Sequence, residues 1–370
     1  MWLLPMRAAA GEAVRAIVVK LINEEVHSVK KSWYGSAILL LSLSIVLVLS
    51  GCSSKGDAAG SAGTDGGKPE TLKIKIADIN TNPTFRVALD QGIFAKHGID
   101  AEIINFGTPA EGVNALFIKQ VDVAFGADFP VLNAVAKGDY SIIASAGQAT
   151  DQAAAVWKLY VKDEIQSAAD LKGKNLSFMR GTFLPYLWDE YLKAEGIALS
   201  EVTLTGQGAF DEAFIALKQG DVDAAWFSGS ALTGKLAALE GVHELTDMSK
   251  TPVRLGMGLV AGNAFVQANP DGIGQFLAAV NEASAYAQEH PEEVAGLMFK
   301  EVKQPKEATL KDLPTNPWKV GFTQAAYDSL AGQKKYMVDT GIIEQDFDLD
   351  SKLDLEPLKK ALPDKVTYTK

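Results

Sequence analysis

"ALFIKQVDVAFGADFPVLNAVAKGD", Ala115–Asp139, reads as a helix end, a Val-Asp step, an apolar strand, a polar turn and a second helix closed by glycine. Roughly 100 residues later, "ALKQGDVDAAWFSGSALTGKLAALEG" (Ala216–Gly241) runs through the same order. Asp122 corresponds to Asp223, and Phe125 to Trp226. Short apolar strands alternating with amphipathic helices of about ten residues indicate βαβ units and a parallel sheet. A unit repeated at this spacing indicates two lobes built alike. All βαβ units share this pattern, so chance likeness stays open at this point.

The alternation extends in both directions. "LKIKIADI" (Leu72–Ile79) has strand periodicity, and Asn82-Pro83 supplies a cap and first position for a helix reaching Gln91. "IDAEIINF", "SIIASAG", "NLSFMRG" and "VTLTG" read as further strands, with helices between them. Two apolar extended stretches, Ala153–Asp163 and Val253–Gly262, stand where the chain passes between lobes. The expected fold is α/β, in two lobes, each a mainly parallel sheet flanked by helices. Residues 71–157 and 258–370 form lobe one, 158–257 form lobe two, and the two crossings act as a hinge.

Before this body stands "VKKSWYGSAILLLSLSIVLVLSG" (Val29–Gly51), with a basic start, an apolar run of about 13 residues and small residues at its end. That is the layout of a secretory signal, and the run is short for a membrane span, which needs roughly 20 residues. Leu49-Ser50-Gly51-Cys52 resembles the lipobox of bacterial lipoproteins, which implies that the chain's single cysteine, Cys52, carries a lipid anchor. Residues 1–51 are expected to be an N-terminal extension plus this signal. Translation from near Val29 and a long basic leader both remain open. Residues 52–70, rich in Gly, Ser, Ala and Asp, form a lipidated tether with nothing to bury.

Of 35 basic side chains five precede Cys52, leaving 30; of 46 acidic ones three do, leaving 43 and a net charge of −13. Such a surface argues against nucleic acid and against direct adhesion to anionic lipid. With one cysteine the body forms no internal disulfide. "GSALTGKL" (Gly229–Leu236) approaches a phosphate-binding loop, but Leu236 replaces the hydroxyl that would hold Mg²⁺. The histidines, His27, His97, His243 and His290, have no metal-ligand spacing. No metal and no cofactor are expected.

"NPTFRVALDQGIFAKHGIDAEIINF", "ALFIKQVDVAFG", "ADLKGKNLSFMRGT", "ALKQGDVDAAWF" and "NPDGIGQFLAAVNEASAYAQEHPEEVA", taken in order, resemble the substrate-binding proteins of ABC importers in the nitrate, sulfonate, taurine and thiamine-precursor group. The resemblance implies a two-lobed periplasmic-binding-protein fold of type II character, in an extracytoplasmic, lipid-anchored monomer that captures a small solute between its lobes. It would hand the solute to a membrane permease driven by a cytoplasmic ATPase. Relatives on the same fold include pyrimidine-making enzymes with reactive His and Lys in the cleft. No histidine falls in a cleft turn here, so no enzyme activity is expected.

Open parallel sheets bind ligands at strand carboxyl ends, where helix N-termini present free N–H groups. Carried onto this chain, the implied ligand residues in lobe one are Asn80, Asn82, Asp128, Phe129 and Gln148. In lobe two they are Arg180, Gly181, Thr182, Phe183, Trp226, Ser228 and Ser230. Thr182 and Ser230 stand where a side chain caps a helix, with or without facing an anion. Only three arginines follow Cys52, namely Arg86, Arg180 and Arg254, and their guanidinium forks suit a sulfonate or carboxylate. Asp78, Asp128 and Asp151 sit at lobe-one turns and suit an amine-bearing heterocycle. The sequence supports an anionic solute first, and leaves the amine heterocycle and a ligand sensor for a membrane kinase as alternatives.

Overall fold

The structure, a computed structural model, describes residues 71–147, 149–315 and 318–370. Cys52, the signal and the tether lie outside the described residues, as does Gln148. Residues 71–370 form one unit.

Lobe one opens with β1 (Leu72–Ile79), whose Leu72, Ile74 and Ile76 are buried while Lys73 and Lys75 face out. α1 (Thr84–Asp90), α2 (Ile93–Lys96), β2 (Ile99–Phe106), α3 (Pro109–Phe117), β3 (Val123–Ala127), α4 (Asp128–Lys137) and β4 (Tyr140–Ala146) follow. α3 starts at a capping box, the Thr108 hydroxyl accepting from Glu111 N–H while the Glu111 carboxylate accepts from Thr108 N–H. After a short α5 (Asp151–Ala154) the chain enters the second sheet.

There β5 (Lys158–Lys162), β6 (Asn175–Met179), α6 (Leu184–Ala194), β7 (Thr203–Gln207), α7 (Phe210–Gln219), β8 (Ala224–Phe227), α8 (Ser230–Ala237) and β9 (Val242–Asp247) complete lobe two. The return brings β10 (Met257–Gly262), α9 (Asn263–Ala268), α10 (Pro270–Glu289), α11 (Pro291–Val302), α12 (Lys306–Asp312), β11 (Val320–Gly321), α13 (Gln324–Asp339) and α14 (Glu356–Ala361).

The strand orders are β11-β4-β10-β3-β1-β2 and β7-β6-β8-β5-β9. Read from the β2 and β7 edges, they coincide over five strands. Four strands of each sheet share one direction. One antiparallel strand, β10 or β5, is inserted between the third and fourth of them. The sheets are therefore mixed. Each inserted strand is the first one the chain makes after passing between sheets.

The repeat extends to single bonds. Asp122 Oδ2 accepts from Lys75 N–H at 2.8 Å, and Asp122 N–H donates to Lys75 O at 2.9 Å. Asp223 Oδ2 accepts from Asn175 N–H at 2.7 Å, and Asp223 N–H donates to Asn175 O at 2.7 Å. Each aspartate thus clasps the start of the neighbouring strand, and the residues that follow pair in equal register, Ile76 with Val123 and Leu176 with Ala224. A side chain that bonds a specific backbone N–H across the ladder fixes register, so chance likeness between βαβ units does not account for the match.

Candidate functional site

A cavity of about 420 Å³ lies between the lobes. Lobe one supplies the turn after β1 (Asn80, Thr81), the start of α3 (Pro109, Ala110), and Phe125 and Ala127 of β3. Lobe two supplies Thr182 and Phe183 before α6, Phe210 of α7, and Ser228 and Gly229 before α8. The crossings add Trp157 and Leu255, and the segment from α11 to β11 adds Met298, Thr309, Asp312 and Trp318. The site therefore sits at strand carboxyl ends, where the parallel arrangement places it.

The lobes touch around this cavity. Gly181 has φ +71°, and a Cβ there would lie 3.3 Å from Ala110 of the opposite lobe. The rings of Tyr186 (α6) and Tyr336 (α13) are 5.1 Å apart. Asp312, at the end of α12, accepts from Ser230 Oγ at 2.5 Å and from Ser230 N–H at 3.0 Å, at the first residue of α8. Gly229, with φ +85°, takes a backbone conformation that glycine adopts without strain, immediately before that N–H.

The walls are mainly apolar and aromatic. Trp157 meets Phe183 edge-on at 4.9 Å and Phe210 at 5.9 Å, and Phe125 meets Trp318 at 5.3 Å. Trp318 is buried with φ +50°, an uncommon conformation for a bulky residue that marks local strain. No Lys, Arg or His lines the cavity among the described residues, and Asp312 is its one charged group. Burial pushes the Asp312 carboxyl above its ordinary value, opposed by the bonds from Ser230.

The sequence-derived residues divide. Asn80, Thr182, Phe183 and Ser228 line the cavity, and Thr182 Oγ1 donates to Met179 O at 2.7 Å to shape its turn. Gly181 and Ser230 make the lobe-to-lobe contacts just described. Five of the expected residues stand off this cavity's wall. Asn82 is buried, its Oδ1 accepting from Thr84 N–H and its amide donating to Asp78. Asp128 Oδ2 accepts from Gly256 N–H, Ser329 Oγ and Gln333 Nε2. A Cβ on Gly256 would lie 2.7 Å from that carboxylate, so only glycine fits. Burial raises Asp128 to about 6. Phe129 packs in the lobe-one core. Arg180 donates to Gly206 O at 2.7 Å. Trp226 is a core residue, 1% exposed, edge-on to Trp188 and Tyr191 at 5.8 and 5.6 Å.

The other two described arginines are also engaged in the scaffold. Arg86 is buried against Asp78 at 2.7 Å and bonds Asn105 and the Asn82 carbonyl. Arg254 pairs with Asp151 at 2.6 Å and donates to carbonyls of its own loop. The residues that sequence reasoning missed are Trp157, Phe210, Thr309, Asp312 and Trp318. The last belongs to "LPTNPW" (Leu313–Trp318), where two prolines break a helical stretch just before a tryptophan. That signal was available.

With this geometry in view, comparison with known proteins is decisive on one point. The NMT1/THI5-like family model matches residues 81–294. The chain belongs to that family. This bears out the resemblance read from the sequence. A binding protein of Brucella abortus is 26% identical over 237 residues, covering 62% of this chain and 71% of the relative. A protein of Haemophilus influenzae named for thiamine biosynthesis is 24% identical over 247 residues, covering 61% and 73%. The periplasmic aliphatic sulphonate binding protein of Escherichia coli superposes with a TM-score of 0.66 at 20% identity, covering 77% of this chain and 98% of that one. A desulfurization enzyme shares the fold at a TM-score of 0.58 and 15% identity, covering 79% and 99%. The fold thus serves both binding and catalysis among these neighbours. No described helix is long and apolar enough to cross a membrane.

Proposed function

We propose that this NMT1/THI5-like protein is the solute-capturing receptor of an ABC importer, held outside the cytoplasm by a lipid on Cys52. It works as a monomer that binds without turnover and delivers its solute to a membrane permease. The observation that carries this reading is the cavity between two lobes joined by two crossings. A ligand that contacts both lobes shifts the open–closed equilibrium by its differential affinity for the closed form.

The lining favours the second of the two ligand classes raised by the sequence. A sulfonate or nitrate buried in this cavity would face aromatic rings and one carboxylate, with each described arginine bonded elsewhere in the scaffold. Burying an unpaired charge is costly. A ring-bearing solute without an anionic head suits the walls, and the Haemophilus relative named for thiamine biosynthesis agrees with that class.

The test is a thermal-shift screen of the full chain against aminopyrimidines, indoles, taurine, alkanesulfonates and nitrate, with mass spectrometry of each ligand after incubation. A saturable shift with ring compounds and their unchanged recovery is the expected result. A shift confined to anions would sink the ligand class, and a changed ligand mass would sink the receptor reading.

A further inference from the structure

The second crossing between the lobes is held to lobe one around a single buried carboxylate. Asp128, the first residue of α4, is 2% exposed, and its Oδ2 takes Gly256 N–H at 2.9 Å and Gln333 Nε2 at 3.1 Å. The Ser329 hydroxyl, on α13, lies within bonding distance of the same Oδ2 and, at 2.7 Å, of the Arg254 carbonyl. A serine hydroxyl has one proton, so it cannot donate to both oxygens at once. Gln333 is fully buried, and its Oε1 has no partner among the described residues. The cluster is therefore short of a hydrogen: the Arg254 carbonyl, Gln333 Oε1 and the carboxylate share too few donors.

While Asp128 is ionised, the serine proton goes to the carboxylate, because a bond to a charged acceptor is the stronger one. The Arg254 carbonyl then loses its bond to α13. When Asp128 takes a proton from solvent, its own O–H donates to Ser329 Oγ, and the serine proton turns to Arg254 O. The added proton supplies the hydrogen that the cluster lacked. Burial raises the Asp128 carboxyl to about 6, so both forms are populated between about pH 5 and 7.

We propose that Asp128, Ser329 and the Arg254 carbonyl form a proton-operated fastening of the second crossing. Protonated, it ties that carbonyl to α13; ionised, it lets the carbonyl go. The backbone bond from Asp128 N–H to Gly256 O, at 3.2 Å, persists in both forms, so the fastening stiffens a crossing already in position. Leu255, next to Arg254, lines the cavity, and the fastening sets how readily that part of the wall moves. The charged groups on the crossing side are Arg254 and Asp151, paired at 2.6 Å. One turn beyond Gln333, α13 adds Tyr336, whose hydroxyl burial pushes well above its ordinary value. Asp128→Asn leaves all three in place. The fastening works at the hinge and does not depend on what the cleft binds.

The test is amide hydrogen exchange of the unliganded full chain, read by mass spectrometry over residues 249–259 and corrected for the intrinsic rate at each pH. Wild-type protection of this segment should be about fivefold or more greater at pH 5 than at pH 8. Asp128→Asn carries an amide that donates to Ser329 at any pH, and should keep the acid level of protection throughout. Ser329→Ala should show the low level throughout. Equal wild-type protection at both pH values overturns the proposal without recourse to any variant. A Ser329→Ala chain that keeps the wild-type pH dependence overturns it too, as does Asp128→Asn matching Ser329→Ala. Protection over α10 should stay the same at both pH values; a parallel change there would mark a global loss of stability and refute a local fastening. Melting temperatures of both variants, measured alongside, show that each is folded.

Discussion

Both lobes place a carboxylate at the start of the helix that follows their third parallel strand, but they obtain it differently. In lobe one Asp128 is itself the first residue of α4, locked by Gly256, Ser329 and Gln333. In lobe two the first residue of α8 is Ser230, and its carboxylate arrives from Asp312, 82 residues later and on the other side of the cleft. Negative charge near a helix N-terminus is stabilising in either case. The first arrangement is permanent. The second spans the cleft, so in the proposed receptor cycle it would be lost on opening, and lobe two is the one whose helix end would change partners. The same contrast holds one turn earlier in the chain: Phe125 reaches the cavity wall, whereas its counterpart Trp226 is enclosed by Trp188 and Tyr191.

The strongest way to break this contrast is Trp226→Ala. If Trp226 is core, the change costs about 3–5 kcal/mol of stability, and the folded fraction keeps its ligand affinity. Denaturant titration paired with calorimetry separates the two. Lost affinity at unchanged stability would return Trp226 to the cleft.

Next in size is the titration of Asp128. Its folded carboxyl binds a proton at about 6 against an ordinary 3.8. Between those values the folded state keeps a proton that the unfolded chain has released. Stability from this group is therefore fully present below about pH 4 and lost as pH rises through 6. Asp128→Asn cannot titrate, so the wild-type minus mutant difference should shift in favour of the wild type by roughly 2–3 kcal/mol from pH 7 to pH 4. A difference that stays flat over that range would mean Asp128 is ionised throughout.

Smaller effects test the clasp. Asp122→Asn and Asp223→Asn should each cost about 1–2 kcal/mol, and the two values should agree to within about 0.5 kcal/mol if the lobes are equivalent there. The smallest is Asp151→Ala, which removes an exposed partner of Arg254 and should change stability by less than about 1 kcal/mol. Because that pair ties the start of α5, two residues before the first crossing, to the second crossing, the expected readout is a changed rate of ligand-driven closure in stopped-flow fluorescence.

How much of this was legible before the structure depends on the range of the interactions. The alternation of strands and helices is local, so β1 to β4 and β6 to β8 were readable from periodicity. The Asp122–Asp223 correspondence was readable because a repeated register needs a repeated residue. The burial of Trp226 was not legible because "AAWF" (Ala224–Phe227) is apolar on both faces and buried throughout, so alternation assigns no side chain to either face. Arginines at predicted turns read as anion forks, and only the fold shows Arg86 spent on Asp78 and Asn105. The wall formed by α11, α12 and Trp318 was hidden for another reason. An amphipathic helix has the same pattern whether its apolar stripe covers a core or a ligand.

The inserted antiparallel strands have a consequence for how the chain is assembled during synthesis. β5 to β9 are contiguous, so all five strands of lobe two are present once Asp247 has emerged from the ribosome. Lobe one lacks its centre until β10, because β3 and β4 both pair with β10 rather than with each other. A nascent chain ending anywhere between Ala146 and Met257 therefore carries one unpaired edge on β3 and two on β4, and open edges invite pairing with other chains. Lobe two can close early and lobe one late, so the first sheet begun is the last to be finished, and the interval between them is when the chain most needs protection.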